Sequence, residues 1–177
     1  MTQDIFPSVE GWLSDAELTE LQRLARGVDV LEIGCWKARS TVALSHVARH
    51  VWSIDTFTGD DWTGRALTLP EALQNLIDSG VRDRVSLLCG DVRDLLPVFD
   101  PFGFGLMFYD AAHDYETTAW ALRLFHQRSG FCGSIAVHDY DHNSNHAGVR
   151  RAVDEFCDRV EMAATVVDRL AVIEVTK

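Results

Sequence analysis

The chain has 177 residues, of which 47% are hydrophobic and 24% are charged, and its formal net charge is −11. These proportions exclude a disordered chain, and the acidic charge disfavours a nucleic acid partner because binding a polyanion requires clustered lysines and arginines. No apolar run approaches the ~20 residues of a membrane span and the N-terminal residues lack a signal-peptide pattern, so we expect a cytoplasmic protein with no membrane partner.

The first predicted helix begins after Ser14, which forms a capping box with Glu17 three residues later. Apolar residues then recur at helical spacing as far as Gly27, which ends the helix. We expect residues 1–27 to be a helical lead-in to a single domain that spans residues 1–177.

Strands and helices alternate along the rest of the chain. The predicted strands cover residues 28–33, 50–54, 84–89, 104–109, 134–137, 161–167 and 170–175. The predicted helices include about 41–47, 70–79, 115–127 and 148–158, with a short helix leading to Leu96. This alternation predicts an α/β fold with a doubly wound, mostly parallel sheet. The turn at Asp168 and Arg169 is too short for a parallel crossover, so the last two strands form an antiparallel hairpin.

Polar residues follow the first two predicted strands, at the edge where a doubly wound sheet binds its ligands. Gly34 permits a tight turn after the first strand, and Ser40 and Thr41 lie near the start of a helix whose N-terminus suits an anionic group. Asp55 ends the second strand, where a carboxylate can accept hydrogen bonds from both ribose hydroxyls. Side chains follow Gly34 where a dinucleotide fingerprint needs glycines, which disfavours an NAD-dependent oxidoreductase.

Two further acids belong to the same edge. Glu32 interrupts an apolar strand, and its burial is costly unless another group pairs with it. Asp91 follows the third strand and has two open roles. Its carboxylate can accept from an adenine amino group while the Val92 amide faces a ring nitrogen, or it can cap the next helix.

The segments VLEIGCWKARST, WSIDTFTGDDW, LLCGDVRDLLP, FYDAAHDYE and IAVHDY resemble, in order and content, successive motifs of class I S-adenosylmethionine (SAM)-dependent methyltransferases. From about Val28 to Phe156 the chain is similar to the macrocin-type O-methyltransferase family, although Ala38 stands where that family often has glycine. The resemblance implies a Rossmann-like sheet of seven strands with the last antiparallel. It also implies transfer of a methyl group from SAM to a hydroxyl of a small molecule. The residues expected to bind SAM are Glu32, Gly34, Trp36, Ser40, Thr41, Asp55, Thr56, Asp91, Val92 and Asp110.

Asp110 and Asp139 end the fourth and fifth strands, which should be neighbours about 4.8 Å apart, so one cation can bridge them. Related metal-dependent enzymes place an acidic pair at the second of these positions, where this chain has His138 and Asp139. Asp110, His138 and Asp139 are therefore the expected ligands of a divalent metal, Mg²⁺ or Mn²⁺. The alternatives are that His138 is not a ligand, or that the carboxylates are solvated without a metal.

His113 is the expected catalytic base, because an imidazole titrates near neutral pH and the family resemblance supports this role. Asp110, three residues earlier, is the second expected catalytic residue. Other candidates for the acceptor pocket are residues that could equally pack in the core or lie at the surface. They are His142, His146, Trp36, Phe57, Trp62, Tyr115 and Tyr140.

A second hypothesis is a SAM-binding partner or sensor protein that does not methylate. The short chain motivates it, since little of the sequence is left to roof the pocket, and a homo-oligomer in which another subunit completes that pocket also stays open. Asp110, His113 and Asp139 argue against a purely binding role, because a binder does not need them.

Overall fold

The computed structural model describes residues 9–59, 64–97, 103–127, 133–141 and 147–175. Within these residues, the strands are β1 (Asp29–Ile33), β2 (His50–Asp55), β3 (Val85–Cys89), β4 (Phe104–Tyr109), β5 (Gly133–Val137), β6 (Thr165–Val167) and β7 (Leu170–Val175). The helices are α1 (Asp15–Ala25), α2 (Arg39–Ser45), α3 (Leu69–Asp78), α4 (Val92–Leu95), α5 (Tyr115–Gln127) and α6 (Ala147–Val160). No helix in the described ranges is both long enough and apolar enough to cross a bilayer.

The strands form one sheet in the order β3-β2-β1-β4-β5-β7-β6. Strands β1 to β5 run parallel, whereas β7 is antiparallel to both β5 and β6. This confirms the predicted Rossmann-like sheet of seven strands and its antiparallel hairpin. The hairpin's first strand is shorter than predicted and begins at Thr165, and a 3₁₀ turn at Arg82–Arg84 that the sequence pattern did not indicate precedes β3.

The carboxyl ends of the parallel strands lie level with one another. Ile33 is in register with Ile54 on one side and with Tyr109 on the other. Backbone hydrogen bonds continue one residue further, from the Gly34 N–H to the Ile54 carbonyl (2.9 Å) and from the Asp110 N–H to the Ile33 carbonyl (2.8 Å). The residues that follow these strands are therefore held at one edge of the sheet.

Apolar side chains cover both faces of the sheet. Val30 and Leu106 belong to one buried cluster, together with residues of α1 and α2. Their strand neighbours Leu31 and Met107 belong to the other, together with residues of α5 and α6. Successive side chains of a strand point to opposite faces, so the near-continuous apolar runs of these strands fill two cores.

Helix α1 begins with the predicted capping box. The Glu17 N–H donates to the Ser14 hydroxyl (3.2 Å), and the Ser14 N–H donates to Glu17 Oε2 (2.7 Å). The Ser14 hydroxyl also donates to the Asp168 carboxylate (2.6 Å), which lies in the turn between β6 and β7. This hydrogen bond connects the start of α1 to the β6–β7 hairpin, which lies near the other end of the sequence.

Candidate active site

A cavity of about 570 Å³ opens at the carboxyl edge of the sheet. This volume is typical of a site for a small ligand or cofactor. Its walls include residues from both the expected SAM-binding group and the expected catalytic group. Those predicted residues are Gly34, Trp36, Ser40, Asp55, Thr56, Asp91, Val92, Asp110, His113, His138 and Asp139. The two groups therefore face one continuous space.

Asp55 organises the loop that follows β1. Its Oδ2 accepts from the backbone N–H groups of Cys35 (2.7 Å) and Trp36 (2.8 Å), and its Oδ1 accepts from that of Phe57 (2.6 Å). A carboxylate offers about four acceptor positions. About one acceptor position is left on this carboxylate, and ribose binding by Asp55 stays a prediction.

Glu32 is fully buried and is satisfied by protein hydroxyls. Ser40, Thr41 and Ser53 each donate to its carboxylate at 2.6 Å. Burial raises the pKa of Glu32 to about 7, although the three hydroxyls oppose the shift. Neither Glu32 nor Thr41 lines the cavity, so the structure does not support their expected direct contact with SAM. Both residues instead support the loop between β1 and α2 from below.

Three residues of the loop between β1 and α2 have a left-handed backbone, Gly34, Trp36 and Ala38, and side-chain size matters at the first and the last. Gly34 has φ 95°, and a Cβ atom there would overlap the carbonyl oxygen of Asp110 on the neighbouring strand end. Ala38 has φ 72° at the N-cap of α2. This conformation suits the glycine that the resembled family often has there, and alanine adopts it at a cost of ~1 kcal/mol.

Asp91 caps α4, as one of its two predicted roles required. Its carboxylate accepts from the Arg93 N–H at 2.7 Å. The side chain also lines the cavity and is exposed, so the adenine-binding role stays a prediction for the same carboxylate.

The expected catalytic residues meet at the ends of β4 and β5. His113 Nε2 lies 2.9 Å from Oδ2 of Asp139, which is only 5% exposed. Burial alone would raise the pKa of Asp139, but its contacts with His113 and His138 hold that pKa well below its usual value. Asp110, His113 and Asp139 each offer one ligand atom, all within 4.8 Å of one another, so the geometric candidate for a metal includes His113 and differs from the predicted trio.

His138 lies beneath this group and is 3% exposed. Its Nδ1 is 3.1 Å from Asp110 Oδ1 and 3.4 Å from Asp139 Oδ2, while its Nε2 is 3.5 Å from Glu17 Oε2. Burial favours the neutral ring, yet the three carboxylates outweigh it and raise the pKa of His138 to about 12. The geometric candidate for a metal does not include His138, which favours the alternative that His138 is not a ligand.

The sequence analysis missed Arg169 and the second role of Glu17. The Arg169 guanidinium lines the cavity and donates to Asp139 Oδ1 (3.1 Å), and its backbone N–H donates to Glu17 Oε1 (2.8 Å). A signal for Arg169 was present, because an antiparallel last strand begins at the edge where the parallel strands end. The contacts of Glu17 with Arg169 and His138 had no such signal in the sequence, because the capping box already accounted for a glutamate at this position.

Of the two alternatives for the aromatic candidates, pocket or packing, the structure favours packing for Phe57, Tyr115 and Tyr140. Phe57 packs in the core, and the Tyr115 and Tyr140 hydroxyls donate to carboxylates of α6 without lining the cavity. Trp36 does line it, and its ring centroid lies 4.4 Å from that of Trp12, which is 56% exposed. The remaining candidates, Trp62, His142 and His146, lie outside the described residues.

Three solved structures share this fold with TM-scores of 0.70 to 0.72. Cofactor-bound Rv0187 from MTB is 24% identical (TM-score 0.72), and the match covers 97% of this chain and 84% of that one. The SAM complex of TomG, an O-methyltransferase of tomaymycin synthesis from Streptomyces achromogenes, is 21% identical (TM-score 0.71; 94% and 82% covered). An O-methyltransferase from Bacillus cereus in complex with SAH is 17% identical (TM-score 0.70; 96% and 84% covered).

A comparison with curated protein sequences found no significant match. A family model described as a methyltransferase domain matches residues 31–140, which are more than half of the chain and include the loop after β1 and both acids of the catalytic group. The chain belongs to this methyltransferase-domain family and has the fold of the class I SAM-dependent methyltransferases.

Proposed function

We propose that the chain transfers the methyl group of SAM to a hydroxyl oxygen of a small molecule, with the His113–Asp139 pair taking up the hydroxyl proton. The observation that carries this proposal is the 2.9 Å contact between His113 and Asp139 in the cavity that Asp55 and Asp91 also line. The same cavity is therefore lined both by the residues expected to bind the cofactor and by an acid–base pair.

The residues at the β1–β3 end of the cavity fit SAM. Asp55 has about one acceptor position for a ribose hydroxyl, and Asp91 presents an exposed carboxylate beside Val92 for the adenine. When bound, SAM supplies a sulfonium methyl group, which forms a C–O bond to the acceptor while the C–S bond breaks and its electron pair stays on sulfur. The protein's part is to hold the acceptor in line with that bond, which supplies much of the rate.

His113 and Asp139 serve the acceptor side of the reaction. Because Nε2 of His113 faces Asp139, the proton of an acceptor hydroxyl goes to the other ring nitrogen, Nδ1, and the carboxylate stabilises the imidazolium that results. Asp139 has a left-handed backbone, φ 60°, and is fixed by Arg169. The pair is therefore held in place before an acceptor arrives.

The same residues do not fit a divalent metal as they stand. Both oxygens of Asp139 have nitrogen partners, Arg169 on Oδ1 and His113 on Oδ2, and Asp110 Oδ1 faces the His138 ring. A divalent metal would have to share the Asp139 carboxylate with Arg169, and the charge of the guanidinium would repel it. No step of the proposed reaction therefore involves a metal, although the sequence pattern predicted one.

A small acceptor is favoured over a macromolecule. The cavity has the volume of a small-ligand site, and the net charge of −11 opposes binding to a polyanion. Trp12 and Trp36 both line the cavity with their ring centroids 4.4 Å apart, which gives an apolar acceptor aromatic surface to pack against.

The test is transfer of a labelled methyl group from SAM to a panel of phenols and sugars by the wild-type chain, by His113→Ala and by His46→Ala. His46 is an exposed histidine at the end of α2 and is the matched control. We expect transfer to at least one hydroxyl acceptor, a loss of about 10²–10⁴-fold in kcat for His113→Ala and no change for His46→Ala. Full activity of His113→Ala would contradict the proposal, whereas SAM binding without any transfer would favour the non-catalytic alternative.

A further inference from the structure

The Arg169 side chain connects the catalytic group to the start of the chain. Its Nη1 donates to Asp139 Oδ1 (3.1 Å) and its Nη2 donates to the Trp12 carbonyl (3.0 Å). Its backbone N–H donates to the buried carboxylate of Glu17 (2.8 Å), which holds the turn against α1. The side chain, 35% exposed, is thus fixed at the rim of the cavity by two contacts of its guanidinium, and the backbone of Arg169 is fixed by a third contact.

This position is adjacent to the geometric candidate for a metal site. Asp110, His113 and Asp139 hold their ligand atoms within 4.8 Å of one another, and Asp139 is the member that Arg169 contacts. A guanidinium stays protonated at every pH at which proteins fold, so its charge is permanent. A divalent cation at Asp139 would therefore lose one carboxylate oxygen to Arg169 and be repelled by a fixed positive charge.

We infer that Arg169 is the resident cation of this site: it holds Asp139 as a bound metal would, and thereby excludes a divalent metal from Asp110, His113 and Asp139. Arg169 is a positioning residue, because it acts on the reaction through Asp139 and His113. This inference rests on the proposed function only where it treats Asp110, His113 and Asp139 as catalytic. The competition between Arg169 and a metal for these three residues does not depend on the reaction.

The inference predicts that removing the charge of Arg169 creates a metal site. Mn²⁺ binding is measured by electron paramagnetic resonance on the wild-type chain and on Arg169→Met, Arg169→Gln and Arg169→Lys. Arg23→Met is the matched control, because Arg23 is 56% exposed, pairs with Glu20 and Glu174, and does not line the cavity. We expect Met and Gln at position 169 to tighten Mn²⁺ binding at least about tenfold, and we expect Arg169→Lys and Arg23→Met to leave it unchanged.

The location of any gained site is checked with the double variant Arg169→Met/Asp139→Asn, which should lose the added Mn²⁺ affinity. Persistence of that affinity in the double variant overturns the inference, because the new site then lies elsewhere. A second comparison does not depend on the folding of Arg169→Met. If the wild-type chain binds Mn²⁺ as tightly as Arg169→Gln does, and Asp139→Asn loses that binding, the inference is overturned. The titration needs no acceptor, so it stands independently of any failure to detect methyl transfer.

Discussion

His113 Nε2 lies 2.9 Å from Asp139 Oδ2, so a residue after β4 and a residue after β5 form one acid–base pair. The contact depends on the parallel register of these strands, in which Tyr109 pairs with Val137. A carboxylate beside an imidazole fixes the orientation of the ring and stabilises its protonated form.

Asp139→Asn therefore lowers kcat by about 10²–10⁴-fold while the affinity for SAM stays within about twofold. The amide keeps the size of the carboxylate but loses the charge that stabilises the imidazolium. Steady-state kinetics with the best acceptor and calorimetry with SAM measure the two effects separately. Asp158→Asn, on the exposed side of α6, is the control, and an equal loss of SAM affinity in Asp139→Asn would show that the residue serves the cofactor instead.

Gly34→Ala should destabilise the protein by about 3 kcal/mol and abolish SAM binding, because the new Cβ atom overlaps the Asp110 carbonyl and pushes the loop away from β4. Gly27→Ala separates this overlap from backbone strain. Gly27 also has a left-handed φ of 71°, but no atom lies within 4 Å of a Cβ placed there. We expect a cost of ~1 kcal/mol and unchanged SAM affinity for Gly27→Ala. Denaturant unfolding and calorimetry check both variants, and normal SAM binding by Gly34→Ala would refute the proposed packing.

Asp55→Ala removes the acceptor of three backbone N–H groups, from Cys35, Trp36 and Phe57. We expect a loss of about 2–4 kcal/mol in the free energy of unfolding together with loss of SAM binding. Asp91→Ala removes one capping bond to Arg93 and should cost only about 1 kcal/mol. Urea unfolding ranks the two variants, and equal losses of stability would contradict the role given to Asp55 in organising the loop.

Glu32 makes stability depend on pH. Its pKa is about 7 in the folded chain against an ordinary value of 4.5, so between these values the folded state holds a proton that the unfolded state has released. The free energy of unfolding therefore falls as the pH rises from 4.5 to 7, by about 3 kcal/mol from this group. Glu32→Gln, which cannot ionise, should remove this part of the slope in urea unfolding at a series of pH values. Exposed Glu116→Gln is the control, and identical slopes for the wild type and Glu32→Gln would contradict the assignment.

Much of the fold was predictable because it depends on local signals. The capping box of Ser14 and Glu17, the alternation of apolar runs with helical periods, and the short turn at Asp168 all led to elements that the structure contains. The exact extent of β6 was not predictable, because residues 161–164 have the apolar character of a strand but make no ladder with β7.

The site was predictable as a set of strand ends but not as a set of contacts. Asp55 and Asp139 could be placed at the correct edge from the topology alone. Their partners could not, since the backbone groups around Asp55 and the guanidinium of Arg169 are brought in by loop geometry and by residues distant in sequence. Glu32 shows the same limit: its burial was foreseen as costly, yet the three hydroxyls that satisfy it come from α2 and β2.

The most direct test of the account is calorimetric titration of SAM into the purified wild-type chain in the presence of EDTA. We expect one SAM per chain with a Kd between roughly 1 μM and 1 mM, the range of typical Michaelis constants, without any added metal. This expectation is contradicted if the folded wild-type chain gives no binding heat, or if binding appears only when Mg²⁺ or Mn²⁺ replaces the chelator.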